Sequence, residues 1–309
     1  MKGDDKINKL EEGKVIPMTY DYVFKSVLSE NKEYLARILS NILNIDKEYI
    51  LDNLVYKNTE HTKLSKKDKR KISDLIVEVE NMKINLEMNK GYYKSLTHKN
   101  NMYIYRLILG SIKEKEEYID YDKMIIQVNF DVKWKFSDKL ITKFEMIEKE
   151  TGKKRCDYIE SNDPIIYHVN LSKIKDMYYN KDKLNTFERE LALMILDNKR
   201  ELKEVSEGDD VMDKVNEKIC KLSDDEILQG IYVKEEMDSW MKKVDLKYAK
   251  EEGIKEGKKE GLKEGLLKGK KEANIETARK LLKENVSIDV IIKTTGITKE
   301  QIEILRKSL

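Results

Sequence analysis

The sequence predicts an α/β or α+β domain up to about residue 200, followed by an all-helical extension. Near the N-terminus, apolar residues recur at helical spacing, whereas from 74 to 89 they alternate with polar residues. A continuous apolar run follows at 124–130, and from about residue 181 onward every signal is helical. With 309 residues, 39% hydrophobic and 39% charged, the chain can bury a core beneath an unusually charged surface.

The first elements predicted are two helices and a basic loop. Thr19 is the expected N-cap of a helix whose apolar face includes Val23, Phe24 and Val27. A second helix is expected at 32–43, and a short apolar stretch at 51–56 precedes residues 57–71. Seven basic and two acidic residues make that last segment a basic loop.

The alternation between 74 and 89 predicts a β-hairpin with Asn81-Met82 as its tight turn. Such a turn pairs Asp74 with Asn89 and places Glu87 opposite residue 76. Because facing residues share a side of the sheet, Asp74, Glu87 and Asn89 project from one face. The opposite face, which we expect to be the core, carries Leu75, Val77, Val79, Ile84, Leu86 and Met88.

The rest of the domain alternates helix and strand, and the extension is helical. A long helix is expected at about 92–117 and an apolar strand at 124–130, with further strands at 140–147 and 165–171. In the extension, glycine then recurs every fourth residue from Gly253 to Gly269. Each helical glycine costs about 1 kcal/mol relative to alanine, so this helix needs support. A semi-flexible linker and self-association through the glycines both fit. Three short helices are expected to follow, at 275–284, 288–294 and 299–305.

Composition excludes several classes of site. Cys156 and Cys220 lie far apart without metal-binding spacing, which excludes a disulfide framework and a zinc finger and favours a cytoplasmic protein. With 3 histidines in the chain, any metal chemistry must rest on carboxylates. No stretch approaches the roughly 20 apolar residues that cross a bilayer, so we expect no membrane association. The net charge of +2 decides nothing about a polyanionic partner.

Asp74 and Glu87 are the candidate metal-binding pair, because rigid strands would hold both carboxylates on one face. Such a pair can bind Mg²⁺ or Mn²⁺ through oxygen atoms, and the cation can activate a water for attack on a phosphodiester. A simply solvated strand face is the competing interpretation, and the pattern alone favours it. The same face also carries Glu78, Glu80, Lys83 and Asn85.

Several strings together resemble a known family. Asp74-x₁₂-Glu87-x-Asn89 is preceded by Tyr20-Asp21-x-x-Phe24-Lys25 and followed by Tyr92-Tyr93. This arrangement resembles the recombination-promoting nuclease/putative transposase family of the PD-(D/E)XK nuclease superfamily. The segment 128–131 resembles that family's central strand, and the glycine-periodic helix with its short helical module resembles its C-terminal end.

The resemblance implies a central mixed sheet flanked by helices and a metal-dependent endonuclease that acts on DNA. Asp74 and Glu87 would be ligands of Mg²⁺ (or Mn²⁺), the Met88 carbonyl a third ligand, and Asp21 an auxiliary acid. Asn89 stands where the superfamily often has Lys and this family commonly has Gln, and its amide can orient the attacking water. Lys94 is a candidate for the missing cation. The motif's Pro is also absent, since residue 73 is Ser.

The sequence patterns and the resemblance together give the predicted domains and partners. Residues 1–200 would form the nuclease-like domain, 201–250 a helical connector, and 251–309 a module for homo-oligomer formation. The basic loop would contact the DNA backbone, although a solvated loop is the simpler interpretation. The loop residues that we expect to contact DNA are Lys66, Lys67, Lys69, Arg70 and Lys71.

Two alternatives to an active nuclease stay open. One is a DNA- or protein-binding protein on the same fold whose site has lost catalysis through the Asn89 change. The other is a regulator in which the last helices form a helix-turn-helix. That alternative ranks last, because residues 299–305 offer mainly Glu, Gln and Ile for reading bases.

Overall fold

A mixed six-stranded sheet organises the N-terminal part of the protein. The structure, a computed structural model, describes residues 9–58, 73–91, 95–111, 123–155 and 163–307. The strand order is β1-β2-β3-β4-β6-β5, with β3, β4 and β6 parallel to one another and the other neighbours antiparallel. The strands are β1 (Leu54–Lys57), β2 (Leu75–Val79), β3 (Met82–Asn89), β4 (Met124–Asp131), β5 (Ile141–Phe144) and β6 (Ile165–Asn170).

Helices precede, interrupt and follow the sheet. The helix between the parallel strands β3 and β4 is α4 (Leu96–Ser111). The other helices are α1 (Asp21–Glu30), α2 (Lys32–Leu43), α3 (Lys47–Asn53), α5 (Leu171–Tyr179), α6 (Thr186–Ile195), α7 (Lys199–Ser206), α8 (Asp210–Ser223), α9 (Glu226–Lys283), α10 (Ile288–Thr295) and α11 (Lys299–Lys307).

The predicted hairpin is present, but its turn was placed one residue too late. The turn is Glu80-Asn81, with Glu80 in the left-handed region at φ 47°, and Met82 pairs with Val79. Met82 is buried in the core, which favours its inclusion in β3. Pairing therefore brings Asp74 opposite Glu87 instead of Asn89. The predicted faces of the sheet are unchanged. The residue opposite Asp74 changes by two positions, and side chains two positions apart on a strand lie on the same face.

The main core lies on the apolar face of this hairpin, as predicted. The six predicted core residues, from Leu75 to Met88, are all buried there. They pack in one cluster with buried residues of α1, α2, α5, α6 and α8. Tyr34 of α2 illustrates how the helices are fixed, since its buried hydroxyl donates to the Glu190 carbonyl at 2.6 Å.

The other predicted elements match the structure with local corrections. The helix at 32–43 and the strands near 124–130, 140–147 and 165–171 are confirmed. Tyr20, not Thr19, is the N-cap residue of α1, and it makes no side-chain capping bond. Helix α3 was missed, although Asp46 caps it by accepting the Tyr49 N–H at 2.9 Å. The predicted helix at 92–117 is described over 96–111.

The chain divides into two compact units, Met1–Lys234 and Glu235–Leu309. Buried residues of α7 and α8, which follow residue 200 in the chain, belong to the main core. The predicted domain boundaries at residues 200 and 250 stay a prediction. All the periodic glycines lie within the 58-residue helix α9. In the second unit, a small core joins α9, α10 and α11. The predicted short helix at 275–284 is the end of α9 and not a separate helix. Asn285 and Gly296, which follow α9 and α10, have left-handed backbones. Nowhere in the described ranges is a helix long and apolar enough to span a membrane.

Candidate metal centre

Asp74 and Glu87 meet at the start of β2 and near the end of β3. The Asp74 backbone N–H donates to Glu87 Oε1 at 3.1 Å, and the Met88 N–H donates to Asp74 Oδ2 at 2.8 Å. These bonds tie each carboxylate to the backbone of the opposite strand. The two acids that we predicted on one face are therefore neighbours, each held by the strand that faces it.

The polar face of the sheet is buried, which decides between the two interpretations of the sequence pattern. Glu87 is 0% exposed and Asn89 4% exposed, whereas a solvated strand face would leave both open. Helix α4 lies over this face, and its Ile104 and Leu107 pack on Ile76 and Ile125. A buried carboxylate needs compensation, because removing a charge from water costs free energy unless a partner is supplied.

Lys99 of α4 supplies part of that compensation. Its Nζ lies 3.2 Å from Glu87 Oε2 and 5.3 Å from the centre of the Tyr103 ring. The sequence does not predict this contact of Lys99, and its candidate for the missing cation is Lys94. Residue 94 lies outside the described residues. The available signal was the position of Lys99 in the first turn of a helix that directly follows β3.

Asn89 belongs to a row of polar side chains along the carboxyl ends of the parallel strands. Its Nδ2 donates to Asp131 Oδ1 at 2.9 Å and contacts Asn129 Oδ1 at 3.5 Å. Asp131 Oδ2 in turn lies 2.7 Å from His168 Nδ1. The amide nitrogen of Asn89 faces the Asp131 carboxylate, so the amide oxygen Oδ1 points to the other side. This oxygen has no hydrogen-bond partner in the part of the chain that the structure describes.

The remaining predicted site residues lie at different distances from the pair. Asp21, in the first turn of α1, lies near enough to Asp74 for its negative charge to help raise the pKa of Asp74, and it forms an ion pair with Lys25 at 3.0 Å. Met88 is buried beside Asp74, and its N–H is the group in contact. The five basic residues predicted to bind DNA, Lys66, Lys67, Lys69, Arg70 and Lys71, lie outside the described residues.

Electrostatics at the pair favour the neutral acids or an added cation. Burial raises the pKa of Asp74, and the negative charge of Glu87 raises it further. Burial also raises the pKa of Glu87, against the opposing effect of the Lys99 ammonium group. For Lys99, burial acts to lower the pKa, but the charges of Glu87, Tyr103 and Asp74 together with the hydrogen bond to Glu87 outweigh burial, and the pKa rises. The three acids of the site, Asp74, Glu87 and Asp21, thus share one nearby lysine, Lys99, and a second, Lys25, at the rim.

The donor atoms fit a hard divalent cation. Asp74 and Glu87 offer carboxylate oxygens, and Asn89 adds a buried amide oxygen that no described group satisfies. Mg²⁺ and Mn²⁺ prefer such oxygens and keep several water ligands. Among the described residues, no group of three or more His, Cys, Asp or Glu side chains has metal-binding geometry. A metal here would therefore rest on the two carboxylates together with amide, backbone or water oxygens.

Comparison with known proteins bears on the same residues. The model of a family described as PD-(D/E)XK nuclease family transposase matches residues 18–253, which is most of the chain and includes the whole site. The chain belongs to this family. Comparison with curated proteins finds no match.

Family membership confirms the resemblance and the predicted fold class. The mixed sheet with flanking helices and the all-helical C-terminal part are those expected of a PD-(D/E)XK member. PD-(D/E)XK proteins are nucleases, so membership implies a hydrolase with a nucleic-acid substrate, and such nucleases typically use divalent metals. In this PD-(D/E)XK chain, the fold brings together the two acids that the sequence predicts as metal ligands.

Proposed function

We propose that the protein is a metal-dependent DNA endonuclease whose Mg²⁺ or Mn²⁺ ion is held by Asp74 and Glu87. The observation that carries this proposal is the pair of buried carboxylates bonded across β2 and β3, two residues along β3 from an Asn89 amide oxygen that no described group satisfies. A pair that served only the fold would gain stability from apolar replacement, because buried charges are costly without full compensation. Such costly groups are typical of functional sites.

Each side chain has a role in phosphodiester hydrolysis. Asp74 and Glu87 hold the cation, with the Met88 carbonyl as a third ligand. When bound, the cation lowers the pKa of a water ligand and neutralises charge on the phosphate. Asn89 orients the attacking water, in line with the leaving oxygen, by accepting an O–H at Oδ1. Asp21 is an auxiliary acid beside Asp74.

Lys99 favours an active enzyme over a degenerate one. The third motif position is an amide in this chain, and an amide cannot provide a positive charge for the transition state. Lys99 brings an ammonium group to 3.2 Å from Glu87 from the helix instead of the strand. Negative charge that develops on the phosphate can then be stabilised by a group already fixed in place.

The proposal extends to the setting of the enzyme. The basic loop, through Lys66, Lys67, Lys69, Arg70 and Lys71, would hold the phosphate backbone with an affinity that falls steeply with salt. The C-terminal helices would join copies into a homo-oligomer. We place the protein in the cytoplasm because its two cysteines form no framework for disulfides. Recombination, mobile elements or defence against phage would be its context.

Nicking of supercoiled plasmid DNA tests the proposal. We expect cleavage in Mg²⁺ or Mn²⁺, none in EDTA, and none with Asp74→Asn, which keeps the size of the side chain and removes its charge. Glu78→Gln is the matched control, because Glu78 lies on the same strand and face but pairs with Lys57 at 3.0 Å and Lys123 at 2.7 Å. Cleavage that survives Asp74→Asn would contradict the assignment. Wild-type protein that binds DNA without cutting it in either cation would favour the degenerate binding protein.

A further inference from the structure

A cavity of about 610 Å³ adjoins the candidate metal centre, between α4 and the carboxyl ends of β4 and β6. Its volume is within the range of about 300–1,000 Å³ typical of small-molecule sites. Neither the assigned roles nor the fold accounts for it. Two features of its wall, a cluster of aromatic rings and a set of unsatisfied polar atoms, indicate what it binds.

Aromatic rings form one side of the cavity. Trp134 stacks on His168, with centroids 4.4 Å apart and 23° between the ring planes. Phe136 meets Trp134 edge-on at 5.0 Å, and Phe144 meets His168 edge-on at 5.8 Å. Phe136 is 61% exposed and Phe144 50% exposed, so both rings present apolar surface at the rim. A flat aromatic ligand is the group that such rings bind best.

Two residues of the cavity wall also hold buried polar atoms that have no hydrogen-bond partner among the described residues. Asn100 lines it and is 5% exposed; its Nδ2 donates to Asn129 Oδ1 at 2.8 Å, while its Oδ1 has no partner among the described residues. The Trp134 indole N–H, also buried, has no acceptor within the same ranges. One open acceptor and one open donor beside aromatic rings match the edge of a nucleobase, which offers both kinds of group.

The floor of the cavity is bonded to the candidate metal centre. Asn129 and Asp131 line it, and Asn129 is the register partner of Glu87 on the neighbouring strand. Asn89 joins the two sites directly, since its Nδ2 donates to Asp131 Oδ1. Neighbouring strands lie about 4.8 Å apart, so a base in the cavity would belong to a nucleotide close to the phosphate at the metal centre.

We propose that this cavity binds an unpaired nucleobase of the DNA strand that is cleaved. That the base belongs to the cleaved strand rests on the proposed nuclease function. That the cavity binds a base is argued from the geometry of the cavity alone. A base inside a duplex is stacked and cannot reach a closed aromatic pocket without leaving the helix. The cavity therefore selects single-stranded or locally unpaired DNA.

Tryptophan fluorescence tests the proposal without any cleavage. The chain has 2 tryptophans, and Trp240 lies on exposed helix surface, so Trp240→Phe leaves Trp134 as the reporter. In EDTA, we expect a single-stranded oligonucleotide to quench Trp134. An abasic strand of equal length and a blunt duplex should quench it much less. Equal quenching by the abasic strand would overturn the proposal, and so would quenching by mononucleotides such as dAMP with none by the oligonucleotide.

A matched pair of variants separates stacking from folding. Phe136→Ala should weaken single-strand affinity about tenfold and leave abasic-strand affinity unchanged, because base stacking on an aromatic ring is lost. Tyr179→Ala is the control, since Tyr179 is an aromatic residue on another surface, 50% exposed against 61% for Phe136, and should change neither affinity. Unchanged affinity in Phe136→Ala would overturn the pocket. If plasmid nicking fails while base-dependent quenching persists, the nuclease proposal is wrong and the base-binding proposal remains. If nicking is intact but no quenching occurs, the base-binding proposal is wrong and the nuclease proposal remains.

Discussion

Replacing Glu190 by Gln should stabilise the N-terminal unit, and the gain should grow with pH. Glu190 of α6 is 1% exposed, and its Oε2 has no partner among the residues described. Arg37 Nη1 lies 3.6 Å from Glu190 Oε1 but only 2.7 Å from Asp209 Oδ2, so its hydrogen bond goes to Asp209. The carboxylate form of Glu190 is therefore buried without full compensation.

The magnitude follows from the pKa of Glu190. Burial raises this pKa from 4.5 to about 7, partly offset by Arg37. At about 1.4 kcal/mol per pKa unit, the difference corresponds to about 3 kcal/mol. The folded state binds its proton up to about pH 7, whereas the unfolded chain releases it near 4.5. Stability from the protonated acid is thus full below pH 4.5 and is lost as the pH rises through 7.

Urea denaturation at several pH values measures this effect. In the Trp240→Phe background, Trp134 reports on the N-terminal unit alone. We expect Glu190→Gln to change the free energy of unfolding little at pH 4 and to raise it by about 3 kcal/mol at pH 8. Glu33→Gln is the control, because Glu33 also faces Arg37, at 3.7 Å, but is far more exposed. Equal gains at both pH values would refute the reasoning.

Three further predictions concern the site and the extension. Urea melts in EDTA should show that Asp74→Asn raises the free energy of unfolding by about 1–3 kcal/mol, because the substitution removes a buried charge next to Glu87. A loss of stability would contradict this prediction. Lys99→Met should slow plasmid nicking about 10²-fold, whereas Lys123→Met, which also loses an ion pair with a glutamate, should leave the rate unchanged. Deleting 250–309 should abolish self-association in sedimentation experiments and retain DNA binding; a truncated chain that still associates would show that other surfaces join the copies.

Local periodicity was sufficient to place the two acids. Asp74, Glu87 and Asn89 were assigned to one face even though the turn was placed one residue too late. The faces were correct because a strand alternates its side chains every two residues, and the misplaced turn changed the pairing by that same period. The predicted partner of Asp74 was wrong, because the pairing depends on the position of the turn. That position depends in turn on the burial of Met82 in the core.

The state of that face could not be read from the sequence. An alternating strand is compatible with a solvated face and with a buried one, and the difference is whether another element covers it. Helix α4 covers it here and carries Lys99 to Glu87. The rotation of a helix about its axis is set by packing, in this case of Ile104 and Leu107 on the sheet, so the sequence pattern does not predict that Lys99 meets Glu87.

The sequence by itself determined the order of most helices and strands of the N-terminal part, the face that carries the acids and the family to which the chain belongs. Those properties depend on spacing along the backbone, which each segment encodes locally. Only the tertiary structure decided that the acids are buried, that Lys99 pairs with Glu87, and that Trp134 and His168 enclose a cavity beside them. These contacts join residues from separate elements, and their geometry is fixed by how the elements pack.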